Sequence, residues 1–207
     1  MAQATGSSSL VRSLADSRLY VITAGRPDLE EFLDAAIRGG VDIVQIRDRQ
    51  LLDRELMEAL AVARDVTARY RVPLVVNDRP DLALLAGADY VHLGQNDLPV
   101  AAARRLGMKA GLSTHARAEI DGADADYIGV GPVFATPTKP GRQAVGLELL
   151  RYAAARAHQP WYAIGGIDAE NAARVIAAGA ERLAIVRAIG ESADPERAAA
   201  TLRALLP

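Results

Sequence analysis

The stretch Tyr127-Ile-Gly-Val-Gly-Pro-Val-Phe-Ala-Thr-Pro-Thr-Lys-Pro-Gly141 contains a short apolar run that passes directly into a polar loop. Residues 127–130 are partly β-branched and are followed by a glycine-proline pair, which is typical of a strand buried on both faces. Proline and glycine keep the residues after this strand out of regular structure. The pattern therefore predicts a strand followed by a loop that carries the hydroxyls of Thr136 and Thr138 and the ammonium of Lys139. A solvated surface loop leading into a helix is the alternative role for these residues.

Seven further apolar runs alternate with helical patterns along the chain. Residues 52–70, for example, repeat apolar side chains at helical spacing, and a shorter helix is predicted over residues 169–178. Eight alternations predict a single-domain (β/α)8 TIM barrel over residues 18–207. An open doubly wound sheet is the main alternative, and the lack of a GxGxxG turn after the first strand disfavours it. The predicted strands are residues 19–23, 41–46, 73–77, 90–93, 109–113, 127–130, 161–164 and 182–186.

Composition narrows the classes of function. The formal net charge of −2 gives no general reason to bind nucleic acid or an anionic membrane, so we expect neither partner. The chain has no cysteine, which excludes disulfides and thiolate catalysis. No apolar run approaches the roughly 20 residues that span a bilayer. Residues 1–17 lack the apolar core of a signal peptide, and we predict a flexible N-terminal arm on a cytoplasmic protein.

Polar residues follow most predicted strands at their carboxyl ends, where a barrel of this kind builds its active site. Asp78 and Asp97 come from adjacent loops and could hold a hard divalent cation such as Mg²⁺, which accepts carboxylates together with waters. Arg47, Arg49 and Lys139 would surround a phosphorylated ligand with positive charge. The alternative role for each aspartate is a helix cap or turn, and for each arginine an ion pair with those aspartates.

The seventh and eighth predicted strands end in Gly165-Gly166 and Val186-Arg187. Glycines allow backbone N–H groups to approach an anion, and barrels of this type often carry a phosphate site here. A tight strand-to-helix turn is the alternative role for the two glycines. His115, close to Ser113, could move a proton near neutral pH or could simply start a helix.

Seven segments together resemble the thiamine-phosphate synthase family, whose members are (β/α)8 transferases. The segments follow the order of the family from Leu19 to the last helix and leave only the N-terminal arm uncovered. They are residues 45–49 (QIRDR), 76–79 (VNDR), 91–97 (VHLGQND), 111–115 (GLSTH), 129–139 (GVGPVFATPTK), 163–167 (AIGGI) and 186–189 (VRAI).

The resemblance implies an enzyme that joins 4-amino-2-methyl-5-(diphosphooxymethyl)pyrimidine to 4-methyl-5-(2-phosphoethyl)thiazole, or to its carboxylated form with loss of CO2. The products would be thiamine phosphate and pyrophosphate. It also implies Mg²⁺ as the cofactor, held by Asp78 and Asp97, and leaves a homo-oligomer open. The implied catalytic residues are Arg47, Ser113 and Lys139. The pyrimidine diphosphate would contact Gln45, Ile46, Arg47, Asp48, Arg49, Asn77, Ser113 and Lys139, and the thiazole phosphate would contact Thr136, Pro137, Thr138, Gly166, Val186 and Arg187.

Two positions depart from the usual pattern of the family. Arg49 stands where the family usually has lysine, and Arg187 stands where it often has serine. Because neither change removes positive charge, we expect altered affinity before lost activity.

Two other functions stay open at this point. A thiazole tautomerase, from a related branch with the same barrel, has arginine at the position of Arg49 and uses a histidine at the position of His115. That branch tends to lack the pair formed by Asp78 and Asp97 and the Thr-Pro-Thr-Lys loop, and both are intact in this chain. A non-catalytic barrel that binds thiamine precursors is the second alternative.

Overall fold

The computed structural model describes residues 13–136 and 143–207, and within them eight parallel strands close into one barrel. The strands are β1 (Leu19–Thr23), β2 (Ile43–Ile46), β3 (Leu74–Asn77), β4 (Tyr90–Leu93), β5 (Lys109–Thr114), β6 (Tyr127–Val130), β7 (Trp161–Ile164) and β8 (Leu183–Ile185). Neighbouring strands pair in chain order, and β1 also pairs with β8, where Tyr20 lies opposite Ala184. This closure confirms the predicted (β/α)8 barrel and excludes the open doubly wound sheet.

Helices follow the strands and cover the outside of the barrel. They are α1 (Leu29–Arg38), α2 (Asp53–Tyr70), α3 (Pro80–Leu85), α4 (Val100–Arg105), α5 (Arg117–Asp121), α6 (Gly146–Arg156), α7 (Ala172–Ala177), α8 (Arg187–Gly190) and α9 (Pro195–Arg203). The buried side chains of α1 and α2, such as Leu33 and Leu60, pack with the outward-facing strand residues in one large apolar cluster. Each strand is therefore covered on both faces, which explains the nearly continuous apolar runs in the sequence.

Two local features differ from the sequence prediction. The helix predicted over residues 169–178 begins at Ala172, because the carboxylate of Asp168 accepts the backbone N–H groups of Glu170 and Asn171 and holds a turn there. The short helix α8 was not predicted. Its four residues are too few for a helical repeat to show in the sequence.

The interior of the barrel is filled by a second apolar cluster that includes four tyrosines. Tyr20 contacts Tyr162 edge to face at a centroid distance of 5.3 Å, and Tyr127 contacts Tyr162 in the same way at 5.7 Å. Gly111 on β5 makes room for these rings, because a Cβ atom there would lie 2.1 Å from Cζ of Tyr127. The tyrosine rings therefore form a packed layer below the carboxyl ends of the strands.

The opposite end of the barrel is closed by the residues just before β1. Leu14 joins the interior cluster, and Ser17 is fully buried with its hydroxyl 3.3 Å from the carbonyl oxygen of Asp42. The carboxylate of Asp42 accepts the backbone N–H groups of Arg18 and Leu19. The end of the predicted arm, residues 13–17, is thus packed on the barrel, while residues 1–12 lie outside the described part of the chain.

None of the helices in the described ranges is long and apolar enough to cross a lipid bilayer.

Candidate active site

The carboxyl ends of the strands surround two adjoining cavities. The larger, of about 250 Å³, lies among the loops that follow β5 to β8. The smaller, of about 60 Å³, lies over the ends of β1 to β5. Three residues, Ser113, Ile164 and Val186, line both cavities. The two spaces therefore share one wall, and ligands in them would meet there.

Polar side chains from adjacent strands form the base of the smaller cavity. Gln45 and Asn77 lie on β2 and β3, and both are buried while lining the cavity. Ser113 on β5 is also buried, and its hydroxyl lies 2.9 Å from Nε2 of His92. Because these residues stand on strands, their side chains are held more rigidly than loop residues would be.

Two arginines bring positive charge to the smaller cavity. Arg47 follows β2 and is anchored by its backbone N–H, which donates to the carbonyl oxygen of Thr23 at 2.8 Å. Burial lowers the pKa of Arg47, and the nearby guanidinium of Arg49 lowers it further. A partly buried cation beside a second cation is stabilised when an anion binds between them. The arrangement is suited to a diphosphate or a similar anion.

Asp78 and Asp97 stand beside the arginines. Asp78 adopts a left-handed backbone conformation, with φ of 64°, directly after β3. Its Oδ2 atom accepts hydrogen bonds from Nε of Arg49 at 2.9 Å, and the carboxylate of Asp97 accepts the backbone N–H of Gly94 at 2.7 Å. Burial raises the pKa of Asp78, Arg49 opposes this shift, and the carboxyl of Asp97 adds to it. The pair thus carries negative charge that its surroundings do not fully compensate.

The donor set of this pair fits Mg²⁺. Magnesium is usually bound by one or two carboxylates, with waters and substrate phosphates as its remaining ligands. Among residues 13–136 and 143–207, no group of three or more histidine, cysteine, aspartate or glutamate side chains could hold a metal ion, so a protein-only cage is not formed there. Asp78 and Asp97 are therefore suited to a cation that also binds the ligand's phosphates.

The larger cavity has the loop after β6 on one side and the turn after β7 on the other. Gly165 and Gly166 have positive φ angles of 105° and 66°, and a Cβ atom on Gly166 would lie 2.8 Å from Cβ of Phe134. The glycines thus permit both the sharp turn and the close approach of the two loops. Thr136 and Arg187 line the same cavity, with Arg187 at the start of α8.

Two of the predicted contact residues have side chains turned elsewhere. Ile46 packs into the outer apolar cluster. The carboxylate of Asp48 accepts the backbone N–H groups of Gln50, Leu51 and Gly25 and braces the loop after β2. Side chains of a strand alternate between its two faces, so a contiguous motif cannot place all its members in one cavity.

Most of the other predicted site residues line one of the two cavities, as expected from the sequence. Gln45, Arg47, Arg49, Asn77, Asp78, Asp97 and Ser113 line the smaller cavity, Thr136, Gly166 and Arg187 line the larger one, and Val186 and Ser113 line both. Pro137, Thr138 and Lys139 lie outside the described residues. Their roles stay predictions from the sequence.

His92 is a cavity residue that the sequence reasoning did not assign to the site. It lines the smaller cavity between Asn77 and Ser113. The alternation of side chains along β4 could have indicated it. His92 pairs with Asn77 of β3, so both side chains face the same side of the sheet. His115 lines the larger cavity. Its Nδ1 atom lies at the carbonyl oxygen of Gly131 and its backbone N–H donates to Glu119, which supports a positioning role.

A closed parallel barrel with arginines, a carboxylate pair and a glycine turn at the carboxyl ends of its strands defines a (β/α)8 enzyme that handles phosphorylated small molecules. Residues 19–189 match the family described as thiamine monophosphate synthase. The chain belongs to this family, and both the fold and the family agree with the resemblance found in the sequence.

Similar proteins support this membership over more than nine-tenths of the chain. A thiamine-phosphate synthase of Arthrobacter sp. is 48% identical over 93% of this chain and 95% of its own length. One from Thermobifida fusca is 50% identical over 94% of each chain. Among solved structures, a thiamine phosphate pyrophosphorylase from Pyrococcus furiosus is 33% identical, with a TM-score of 0.82 over 91% of this chain and 94% of its own.

Proposed function

We propose that this protein is a thiamine-phosphate synthase that joins 4-amino-2-methyl-5-(diphosphooxymethyl)pyrimidine to 4-methyl-5-(2-phosphoethyl)thiazole or its carboxylated form. The observation that carries the proposal is the pair of cavities with a common wall at Ser113, Ile164 and Val186. One cavity bears two arginines and two carboxylates, and the other bears a glycine turn and Arg187. Such a site suits two different phosphorylated substrates that must react with each other.

We assign the pyrimidine diphosphate to the smaller cavity. Gln45, Asn77 and Ser113 would contact the ring, while Arg47 and Arg49 would bind the diphosphate as charge-assisted donors. Lys139 would add a further positive charge from the loop after β6. The backbone at Ile46 and Asp48 would contribute where their side chains do not.

We assign the thiazole phosphate to the larger cavity. The backbone N–H groups around Gly166 and at the start of α8 would donate hydrogen bonds to its phosphate, with Arg187 as the charged partner. Thr136 and Val186 line this cavity, and the family resemblance implies that Pro137 and Thr138 also contact the thiazole phosphate.

The reaction transfers the pyrimidinylmethyl group without a covalent enzyme intermediate. The bond between the methylene carbon and the diphosphate oxygen breaks, and pyrophosphate leaves with the electron pair. The thiazole nitrogen then donates its lone pair to the methylene carbon of the resulting cation. Arg47 and Lys139 would stabilise the charge that develops on the departing oxygen, and Ser113 would hold the ring in line with the thiazole nitrogen. Mg²⁺, held by Asp78 and Asp97, would supply further charge neutralisation to the leaving group when bound.

The proposal also includes the nature of the partners and the location. We expect phosphorylated small molecules and neither nucleic acid nor membrane, which agrees with the net charge of −2. A cytoplasmic location stays a prediction from the sequence, and a homo-oligomer stays open.

The decisive experiment measures thiamine phosphate formation from the two substrates, with and without Mg²⁺. Wild type should form product only with Mg²⁺, and Asp97→Ala should lose this activity. Asp124→Ala is the matched control, because its carboxylate is 88% exposed on the surface and forms an ion pair with Arg104. Product formation independent of both Mg²⁺ and Asp97 would refute the metal assignment.

The same assay separates the alternatives. A thiazole tautomerase would convert its thiazole substrate without the pyrimidine and without Mg²⁺. A precursor-binding barrel would bind the thiazole phosphate and form no product. Wild type that forms no thiamine phosphate under any condition would therefore overturn the synthase proposal.

A further inference from the structure

A chain of hydrogen bonds passes through the barrel interior and begins and ends at the smaller cavity. Ser113 Oγ lies 2.9 Å from His92 Nε2, and His92 Nδ1 lies 3.1 Å from the hydroxyl of Tyr127. That hydroxyl lies 3.0 Å from the hydroxyl of Tyr20, which accepts a hydrogen bond from Nε2 of Gln45. Gln45 and Ser113 both line the smaller cavity. Two residues assigned to the pyrimidine ring are therefore linked through His92, which lines the cavity, and through Tyr127 and Tyr20, which lie below it.

The chemistry of these groups permits one continuous direction of donation along the chain. Burial raises the pKa of Tyr20 and of Tyr127, so both phenols keep their proton and each has one hydrogen to donate. Gln45 donates to Tyr20, and the contact between the two phenols permits either oxygen as the donor; we take the hydroxyl of Tyr20 to donate in turn to Tyr127. The next donor, Tyr127, then donates to Nδ1 of His92.

The direction determines what the cavity offers to a ligand. With Nδ1 of His92 as an acceptor, the neutral ring carries its hydrogen on Nε2 and donates it to Ser113. The hydroxyl hydrogen of Ser113 is then directed to a ligand as a donor. At the other end, the amide nitrogen of Gln45 faces Tyr20, which leaves its carbonyl oxygen to act as an acceptor in the cavity.

We propose that His92, Tyr127 and Tyr20 are positioning residues that present Ser113 as a donor and Gln45 as an acceptor to the substrate ring. A 4-aminopyrimidine carries a ring nitrogen that accepts and an adjacent amino group that donates, so it complements this pair. A 4-oxo analogue has the opposite pattern and would leave buried polar groups unpaired, which is strongly disfavoured. This inference rests on the proposed function and explains how the site would select the amino form.

The interior offers a matched pair of variants for the test. Tyr127→Phe removes the hydroxyl that joins His92 to Tyr20 and keeps the ring. Tyr162→Phe removes a hydroxyl from a ring that packs against Tyr127, but this hydroxyl donates to the carbonyl oxygen of Ser17 at the far end of the barrel. We expect Tyr127→Phe to raise KM for the pyrimidine diphosphate about tenfold and to leave KM for the thiazole phosphate unchanged. Tyr162→Phe should leave both KM values within about twofold.

A double-mutant cycle distinguishes positioning from a general effect on the fold. If Tyr127 acts through Ser113, the Tyr127→Phe change should have little further effect on KM in a Ser113→Ala background. Fully additive effects would overturn the inference. Thermal unfolding of each variant shows whether it is folded, and Tyr20→Phe, which interrupts the chain from the Gln45 end, replaces Tyr127→Phe if that variant fails to fold.

The outcomes separate this inference from the proposed function. If wild type forms thiamine phosphate while Tyr127→Phe and Tyr162→Phe behave alike, the positioning role is refuted and the proposed function stands. Equal affinity of wild type for the 4-amino and 4-oxo pyrimidine diphosphates would also refute it. If wild type forms no thiamine phosphate, the proposed function falls, and the inference falls with it.

Discussion

Arg49 and Asp78 form an ion pair in which two guanidinium nitrogens approach one carboxylate oxygen. Nε lies 2.9 Å and Nη2 lies 2.8 Å from Oδ2 of Asp78. The residue that replaces the usual lysine of the family is thus bonded to a proposed magnesium ligand. A guanidinium can hold such a carboxylate and still present other N–H groups to a phosphate, whereas an ammonium is a single point of charge.

Replacing Arg49 should weaken the binding of the pyrimidine diphosphate. We expect Arg49→Ala to raise KM for this substrate about tenfold, because a charge-assisted donor is lost. Arg49→Lys keeps the charge and should raise KM by only about twofold to threefold. Initial rates at varied pyrimidine diphosphate measure both effects. Arg54→Ala, an exposed change on α2, is the control. Unchanged kinetics for Arg49→Ala would rule out this contact.

Neutralising Asp78 should stabilise the metal-free protein while removing its response to Mg²⁺. The pKa of Asp78 is raised in the folded state, chiefly by burial. A raised carboxyl pKa contributes stability at low pH that is lost as pH rises through the folded pKa. At pH 7 the ionised carboxylate is therefore destabilising, and Asp78→Asn should raise the midpoint of thermal unfolding by about 1–4 °C.

The control is Asp81, a carboxylate whose pKa is shifted in the opposite direction. Hydrogen bonds from Arg79 lower the pKa of Asp81, so its ionised form is stabilising above its ordinary pKa. Asp81→Asn should lower the midpoint slightly at pH 7 and should keep the rise that Mg²⁺ produces in wild type. Thermal scans between pH 5 and pH 8, with and without Mg²⁺, test both variants. A lower midpoint for Asp78→Asn at pH 7 would contradict the prediction.

Asp42→Asn should destabilise the barrel from the end remote from the active site. The carboxylate is 3% exposed and accepts the backbone N–H groups of Arg18 and Leu19 at 2.8 and 2.9 Å. An asparagine loses the charge-assisted bonds and brings its own N–H donors toward these groups. We expect a loss of about 1.5–3 kcal/mol in the free energy of unfolding, measured by urea denaturation. Asp16→Asn, an exposed change in the same segment, should have an effect below about 0.5 kcal/mol.

Gly111→Ala should disturb the interior layer of tyrosines. The added Cβ atom would lie 2.1 Å from Cζ of Tyr127, so the ring or the strand must move. Overpacking of this kind costs about 1–3 kcal/mol or more. Gly190→Ala is the control, because a Cβ atom at Gly190 would enter open space. Equal urea midpoints for the two variants would show that the interior accommodates the extra methyl group.

The sequence was sufficient to predict the barrel, because each strand is indicated by its own residues and the same pattern occurs eight times. Each strand is an apolar run with both faces covered, so the eight runs predict the fold whatever the details of each loop. The sequence was weaker where structure depends on single contacts. The turn held by Asp168 delays α7, and α8 is a single helical turn without a periodic pattern.

The sequence predicted which strand ends contribute to the site, but it predicted less well which side chains face the cavities. The family motif assigned all of residues 45–49 to the ligand. Side chains alternate along β2, however, so Ile46 packs outside the barrel while Gln45 faces the cavity. The contact between His92 and Tyr127 was out of reach, because β4 and β6 are separated by β5. The strand register places His92, Gly111 and Tyr127 in one row, and the missing side chain at Gly111 lets the outer two meet.

The wall shared by the two cavities has a consequence for inhibition. A compound that joins an aminopyrimidine to a phosphorylated thiazole mimic through a short linker could bridge Ser113 and Val186 without leaving the crevice. Once one half is bound, the other half is held near its own cavity at a high effective concentration. Such a tethered compound should bind by about 10²–10⁴-fold more tightly than either half alone.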